Sequence, residues 1–306
     1  MGFPGIVRRF NAGHTRGMEH HGTVIRPPSE ADSILLQVTL GCSHGKCAFC
    51  GAYRDKPFAV RPPEDIEADL RWVAAHMPRH RRLFLCDGDV LALPMHRLEA
   101  LLEMIGRVLP GVKRVSSYVS ARNLRGKSDE DLLRLREAGL RMVYMGLESG
   151  DQGVLERMNK GSSVEDIVRA GQRIVRAGLK LNVTVLNGLG GVEGSMEHAR
   201  KTAQALTEMG PHQIAALSLM PIPGTPLWDD IEAGRFILPD ADGMVAELRE
   251  LVAGLGDYRG LLLANHASNH APFRARMPAD RERIMALLDE SASGKRAMRP
   301  EWSRRL

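Results

Sequence analysis

No apolar run in this 306-residue chain is long enough to span a bilayer, and no segment combines a charged start with the apolar centre of a secretory signal. The opening MGFPGIVRRFNAGHTRG is polar and glycine-rich, which points to a loose lead-in rather than a targeting segment. Low-complexity stretches are absent, and so is any internal repeat beyond a strand–helix period. Strong charge of one sign is also missing: the net charge is +5. The basic excess gathers in Arg79-His80-Arg81-Arg82 and between Lys295 and Arg305. No nucleic-acid-binding motif accompanies these runs, so they read as solvated surface, and the last segment as a frayed tail. Neither a membrane nor a nucleic acid is expected as partner. Cysteine is scarce, with 4 residues, and without an export signal that usage fits a reducing cytosol.

What is present suits a globular protein. Hydrophobic residues make up 43% and charged residues 26%, enough for one large domain or one and a half. Apolar β-type runs at Ile34–Leu40, Leu83–Cys86, Val112–Tyr118, Met142–Leu147, Leu181–Leu186 and Ala215–Met220 alternate with helical patterns near 64–77, 95–108, 128–138, 162–177 and 195–209. Ser128 before Asp129, Glu130 and Asp131 marks an N-cap, and Gly139 and Gly178 mark left-handed C-caps. Repeated strand–helix units predict a parallel sheet with right-handed crossovers. Periodicity leaves open whether that sheet is doubly wound or a barrel. After Met220 the pattern stops at Pro221-Ile222-Pro223-Gly224-Thr225-Pro226. A helix at 241–254, an apolar run to Ala264 and a last helix near 280–288 complete the chain.

Three of the four cysteines, Cys42, Cys47 and Cys50, fall within nine residues as C-x4-C-x2-C, just after the first apolar run. Three thiolates so close cannot all pair as disulfides, but they suit three corners of one metal centre. A [4Fe–4S] cube normally takes four thiolates, and the fourth cysteine, Cys86, is 36 residues further on. Such a cube would keep one iron open to a small molecule. Zinc bound as Cys3His, with His44 as the fourth ligand, is the rival chemistry.

The loop resembles the cluster loop of the radical S-adenosylmethionine (SAM) enzymes, with one residue more than the family's usual C-x3-C-x2-C. The resemblance spans roughly residues 30–230. It implies an α/β fold, a partial (β/α)6 TIM barrel with a short carboxyl-terminal extension. It also implies that Cys42, Cys47 and Cys50 hold a [4Fe–4S] cluster whose fourth iron chelates SAM. Phe49 stands where the family favours an aromatic near the adenine. Asp87-Gly88-Asp89 follows the second strand, where the family has a Gly-Gly-Glu-like turn for the SAM amino group. Asp89 is the best side-chain candidate there, with backbone contacts from Asp87 and Gly88. Met145-Gly146-Leu147-Glu148-Ser149-Gly150 ends the fourth strand, and Met158-Asn159-Lys160-Gly161 follows it. This run resembles that of coproporphyrinogen-oxidase-like and Elongator-type members, in which a carboxylate at the position of Glu148 binds the ribose hydroxyls.

Other candidates read either way. Ser117, Tyr118 and Ser120 end the third strand, facing the cofactor or as ordinary polar groups. Asn182 and Thr184 lie on the fifth strand, with a flexible turn at Asn187-Gly188-Leu189-Gly190-Gly191. Arg173 and Arg176 suit a SAM carboxylate or a helix surface, and Leu219-Met220 falls where the family makes apolar adenine contacts. Cys86 reads as a small buried hydrophobe, and Asn265–His270 as a barrel-mouth cap or a solvent loop. The expected organisation is a lead-in over 1–30, the core over 31–230, an extension over 231–290 and a basic tail over 291–306.

The implied activity is reductive cleavage of SAM to a 5′-deoxyadenosyl radical that abstracts hydrogen from a substrate. An electron donor such as flavodoxin or ferredoxin is implied with it. No cobalamin-binding region is evident, and the absence of further cysteines argues against a second cluster and disfavours sulfur insertion. A non-catalytic homologue carrying a cluster or haem is the alternative, and a zinc-stabilised binding module a third.

Overall fold

Apolar runs become strands here because their side chains alternate between two faces that are both covered, the condition for a parallel sheet. In the computed structural model, residues 17–54 and 56–305 are described; most of the lead-in lies outside them. The chain divides into two compact units. One holds the described residues up to Gly45, Ala52–Tyr144 and Arg176–Leu179; the other holds Lys46–Gly51, Met145–Val175 and the described residues from Lys180 onward.

The first unit starts with β1 (Ile34–Gln37), β2 (Thr39–Leu40) and β3 (Ala59–Val60), then α1 (Pro63–His76), β4 (Arg82–Cys86), α2 (Met95–Val108) and β5 (Arg114–Val119). It continues with the short α3 (Ala121–Leu124), α4 (Asp129–Glu137) and the first half of β6 (Leu140–Glu148). β1, β4 and β5 pair in parallel, with Leu36 opposite Leu85 and Leu85 opposite Ser117. The predicted strand 34–40 is two pieces. Val38 donates to the Cys86 carbonyl at 2.7 Å, and β2 turns away to pair antiparallel with β3. Phe84, Cys86, Met142 and Tyr144 pack with Tyr118 and Leu35, the rings meeting edge to face at 5.0–6.2 Å. Each fully buried large apolar side chain contributes about 1.5–3 kcal/mol. Ser128 caps α4 in a reciprocal capping box with Asp131.

The second unit holds α5 (Gln152–Arg157), α6 (Val164–Arg176) up to Val175, β7 (Lys180–Asn187), α7 (Gly191–Met209), β8 (Gln213–Ser218), α8 (Pro226–Glu232), α9 (Ala241–Gly254), β9 (Gly260–Leu263), β10 (Arg274–Met277) and α10 (Arg281–Ala292). β7, β8 and β9 pair in parallel and β10 antiparallel. β8 lies two residues earlier than its apolar run suggests, because its register with β7 runs from Asn182–Gln213 to Asn187–Ser218. α7 starts four residues before its predicted start and takes up the end of the glycine run.

The eight-stranded order is β1-β4-β5-β6-β7-β8-β9-β10. It is mostly parallel and does not close, the topology of a partial barrel. Six strands were expected from the sequence; β9 and β10 add two. No described helix is long and apolar enough to cross a membrane.

Two further expectations are corrected. Ser268, Asn269 and His270 are buried. Asn269 donates to the carbonyls of Ala216 (2.8 Å) and Ala264 (2.7 Å) and accepts from Ser218 Oγ, so these three residues are not a solvent loop but a polar link inside the second unit. The tail is anchored rather than frayed, through two of its arginines. The Arg304 guanidinium, 6% exposed, donates to the carbonyls of Ser268 (2.6 Å) and Leu219 (2.9 Å), and Arg299 to those of His266 and Asn269. The Arg304 charge is met by the Glu301 carboxylate at 2.5 Å and by these carbonyls.

Candidate functional site

The first unit carries the start of the cysteine loop and the turn after β4. Gly41 opens the loop at φ +68, a conformation that favours glycine, and a Cβ there would strike the Lys56 carbonyl. The turn is pinned beneath it by backbone hydrogen bonds, Asp87 N to Thr39 O at 2.9 Å and Gly88 N to Gly41 O at 3.2 Å. The Cys86–Asp87 peptide is cis.

Both carboxylates of the turn are buried, and they are used differently. Asp87 Oδ2 accepts from Gly41 N (3.0 Å), Gln37 Nε2 (3.1 Å) and Lys56 Nζ (3.2 Å), while its buried Oδ1 has no partner among the described residues. Asp89 Oδ2 accepts from Ser43 N (2.7 Å) and Ser43 Oγ (2.5 Å), and Oδ1 from Asn123 Nδ2 (2.6 Å). Cys42 Sγ sits 3.5 Å from the same Oδ2. Burial first, and then the Asp89 charge, pushes the Cys42 thiol above its usual range. Next to it, Arg122 Nη1 donates to His44 Nδ1 at 2.5 Å, which places His44 in a pair with an arginine.

Ser117 lies on the opposite face of β5 from Tyr118. It is fully buried and sits across from Leu85, whose carbonyl accepts its hydroxyl at 3.4 Å. Tyr118 belongs instead to the face bearing Phe84 and Cys86. Burial and then Asp87 push the Cys86 thiol well above its usual range, in keeping with a buried apolar role.

The second unit carries the rest of the loop, Lys46–Gly51. Ala48 is fixed by two backbone hydrogen bonds, its N–H to Met158 O at 2.8 Å and its carbonyl from Leu227 N at 3.0 Å. Phe49 packs with Ala48 in an apolar cluster that includes Met158, Leu189, Leu219 and Met244. None of the three loop cysteines is in a disulfide, and each is partly exposed. Among the described residues, no three His, Cys, Asp or Glu side chains gather as they would around a single metal ion.

Glu148 ends β6 at φ +64, sparsely populated for a residue with a side chain. It is buried and pairs with Lys160 at 2.7 Å. A Cβ on Gly146 would collide with Glu148 Oε1 and approach Lys160 Nζ, so glycine two residues before the carboxylate is what lets the pair form. Burial alone would lower the Lys160 pKa; Glu148, with Cys47 and Cys50, outweighs it and holds the ammonium charged. Of the fifth-strand candidates, Asn182 Nδ2 donates to Gln213 Oε1 at 3.1 Å, and Asn187 keeps a buried amide nitrogen without a partner among the described residues.

Sequence reasoning named the loop, the turn and Glu148 but not Ser43, Asn123, Lys56 or Lys160 as their partners. Lys160 lies in the Met158–Gly161 run. Asn123 is 34 residues from Asp89, with no pattern linking them.

The chain is 23% identical over 185 residues to the heme chaperone HemW of Bacillus subtilis, covering 60% of this chain and 48% of that protein. It is 30% identical over 315 residues to the uncharacterized protein MK0932 of Methanopyrus kandleri, covering 82% and 58%. It thus spans about half the length of these curated relatives. In structure it is similar to coproporphyrinogen III oxidase HemN of Escherichia coli, a radical SAM enzyme, with TM-score 0.53 and 18% identity over 73% of this chain and 52% of that one. Methylornithine synthase PylB gives TM-score 0.53 and 15% identity over 84% and 68%. At these identities the likeness is one of fold. Residues 36–206, more than half of the sequence, match the Radical SAM superfamily, and the chain belongs to that superfamily.

Proposed function

We propose that the protein is a radical SAM enzyme in which Cys42, Cys47 and Cys50 hold a [4Fe–4S] cluster. The observation that carries this reading is the set of three partly exposed cysteines, none of them in a disulfide, within nine residues at the end of the first strand region of a radical SAM chain. The donor set fits the group: thiolates are the ligands such clusters take, and three leave one iron for a small molecule. When bound, the reduced cluster supplies the electron that splits SAM into methionine and a 5′-deoxyadenosyl radical.

The protein's own residues bind and orient. Asp87 offers a buried carboxylate oxygen without a partner among the described residues, suited to an ammonium group. The backbone of Gly88 lies beside it. Asp89, with both oxygens engaged, acts on the loop rather than on a ligand directly. Glu148 can accept both hydrogen bonds of a vicinal diol, in exchange for or alongside Lys160. Phe49 offers an apolar ring to a base, and Ser117 supports the strand beneath. The substrate donates a hydrogen atom. An electron carrier of the flavodoxin or ferredoxin kind would supply the reducing equivalent, in the cytoplasm.

A second reading, a heme or cluster carrier, is favoured by one observation, the likeness to the heme chaperone HemW. One experiment separates the two. Anaerobically reconstituted, dithionite-reduced protein is incubated with SAM, and 5′-deoxyadenosine is measured against a Cys42→Ala/Cys47→Ala/Cys50→Ala variant. Slow, cysteine-dependent release is expected. A cluster-loaded protein that binds hemin and releases none would overturn the enzyme reading in favour of the carrier.

A further inference from the structure

The cysteine loop is one residue longer between Cys42 and Cys47 than the spacing it resembles, and two side-chain contacts fall on that stretch. Ser43 gives both its N–H and its hydroxyl to Asp89 Oδ2, and His44 Nδ1 accepts from Arg122. Asp89 is in turn held from the far side by Asn123 Nδ2 at 2.6 Å. Arg122 and Asn123 are neighbours on α3, which also contributes a carbonyl, Asn123 O, to buried Lys127 at 3.3 Å. Lys127 Nζ further donates to Leu91 O (2.7 Å) and Leu93 O (3.1 Å), on the segment just after the Asp87–Asp89 turn. One ammonium thus fixes α3 to that turn, and α3 reaches the loop through Asn123 and Arg122. Asp89 is 1% exposed, so its charge is compensated by these donors and not by water.

We propose that Asn123 and Arg122 are positioning residues for Cys42, holding the lengthened Cys42–Cys47 segment through Asp89 and His44. This rests on the reading of Cys42 as a cluster ligand. A loop with an added residue has more backbone freedom to lose when a metal centre forms. The α3 clamp removes part of that freedom in advance, at the residue next to the first thiolate.

The test exchanges the partners. In Asn123→Asp two carboxylates face each other at hydrogen-bond distance and the clamp opens. In the double variant Asp89→Asn/Asn123→Asp, amide and carboxylate have changed places and the pair re-forms. Cluster-free full-length protein is treated with iodoacetamide, and alkylation of Cys42 is followed by peptide mass spectrometry, with buried Cys86 as a reference for global opening. Compared as pH-independent thiolate rates, so that the added carboxylate's effect on the thiol drops out, Cys42 alkylation should speed about tenfold in Asn123→Asp on loss of one charge-assisted hydrogen bond while Cys86 stays protected, and the double variant should return to near the parent rate. Iron and sulfide content after reconstitution should fall and recover in the same order. Unchanged Cys42 alkylation in Asn123→Asp, or no recovery in the double variant, overturns the proposal. If the parent protein takes up no cluster, the functional reading fails, while the alkylation contrast still decides the clamp.

Discussion

Lys160 and Glu148 are 12 residues apart in sequence and form a largely buried ion pair. Removing one partner of such a pair strands the other, which costs far more than the pair itself gains. Lys160→Met is therefore expected to lower stability by roughly 3 kcal/mol in chemical denaturation at neutral pH. Because folding raises the Lys160 pKa, the wild-type contribution is fully present below the usual lysine value of 10.5 and disappears only as pH rises through the folded value. His266 works the other way. Ser268 N–H donates to its Nδ1 at 3.1 Å, so protonation there breaks a part-buried hydrogen bond. Burial and then Arg299 lower its pKa from the usual 6.5. The unfolded chain binds that proton first, so stability should fall as pH drops below 6.5 until the folded value is passed. His266→Gln should flatten that part of a melting-temperature profile; an unchanged slope would assign the acid sensitivity to other groups. At this scale the sequence shows residue types whose chemistry is local: a thiol triplet, a carboxylate after a strand, a serine before an acidic turn. It cannot show that Asn123 meets Asp89 or that Asp87 keeps an open oxygen, because those contacts are set by strand register and helix placement.

Elements are legible where a period repeats. The helix at 95–108 and the helix at 241–254 have the predicted bounds, and Gly139 and Gly178 take the positive φ their position requires. β10 escapes notice because Arg274-Ala275-Arg276-Met277 alternates exposed arginines with buried small or apolar residues in only four positions. β9 shows only as an apolar run, which fits strand or helix equally. The tail escapes for a different reason. An arginine-rich terminus normally faces water, and only the folded arrangement reveals carbonyls waiting for Arg299 and Arg304. Arg304→Ala leaves the Leu219 and Ser268 carbonyls without that donor and should cost about 2–3 kcal/mol, read as a lower melting temperature. No change would restore the frayed-tail reading. Ser128→Ala removes one side of the α4 capping box and should cost about 1 kcal/mol.

For the whole molecule, superfamily membership rests on more than half of the sequence, and the order of loop, turn and carboxylate along the strands is legible in the sequence itself. The substrate was not, because every outcome of the family's chemistry starts from the same radical and specificity lies in groups that no local motif announces. The central claim is that three thiolates hold a cluster with an iron left for SAM. Electron paramagnetic resonance of the reconstituted, reduced protein with and without SAM tests it most directly. The account predicts a [4Fe–4S]⁺ signal that changes on adding SAM and is absent from the Cys42→Ala/Cys47→Ala/Cys50→Ala variant. A colourless, zinc-containing protein, or a cluster signal indifferent to SAM, would contradict it.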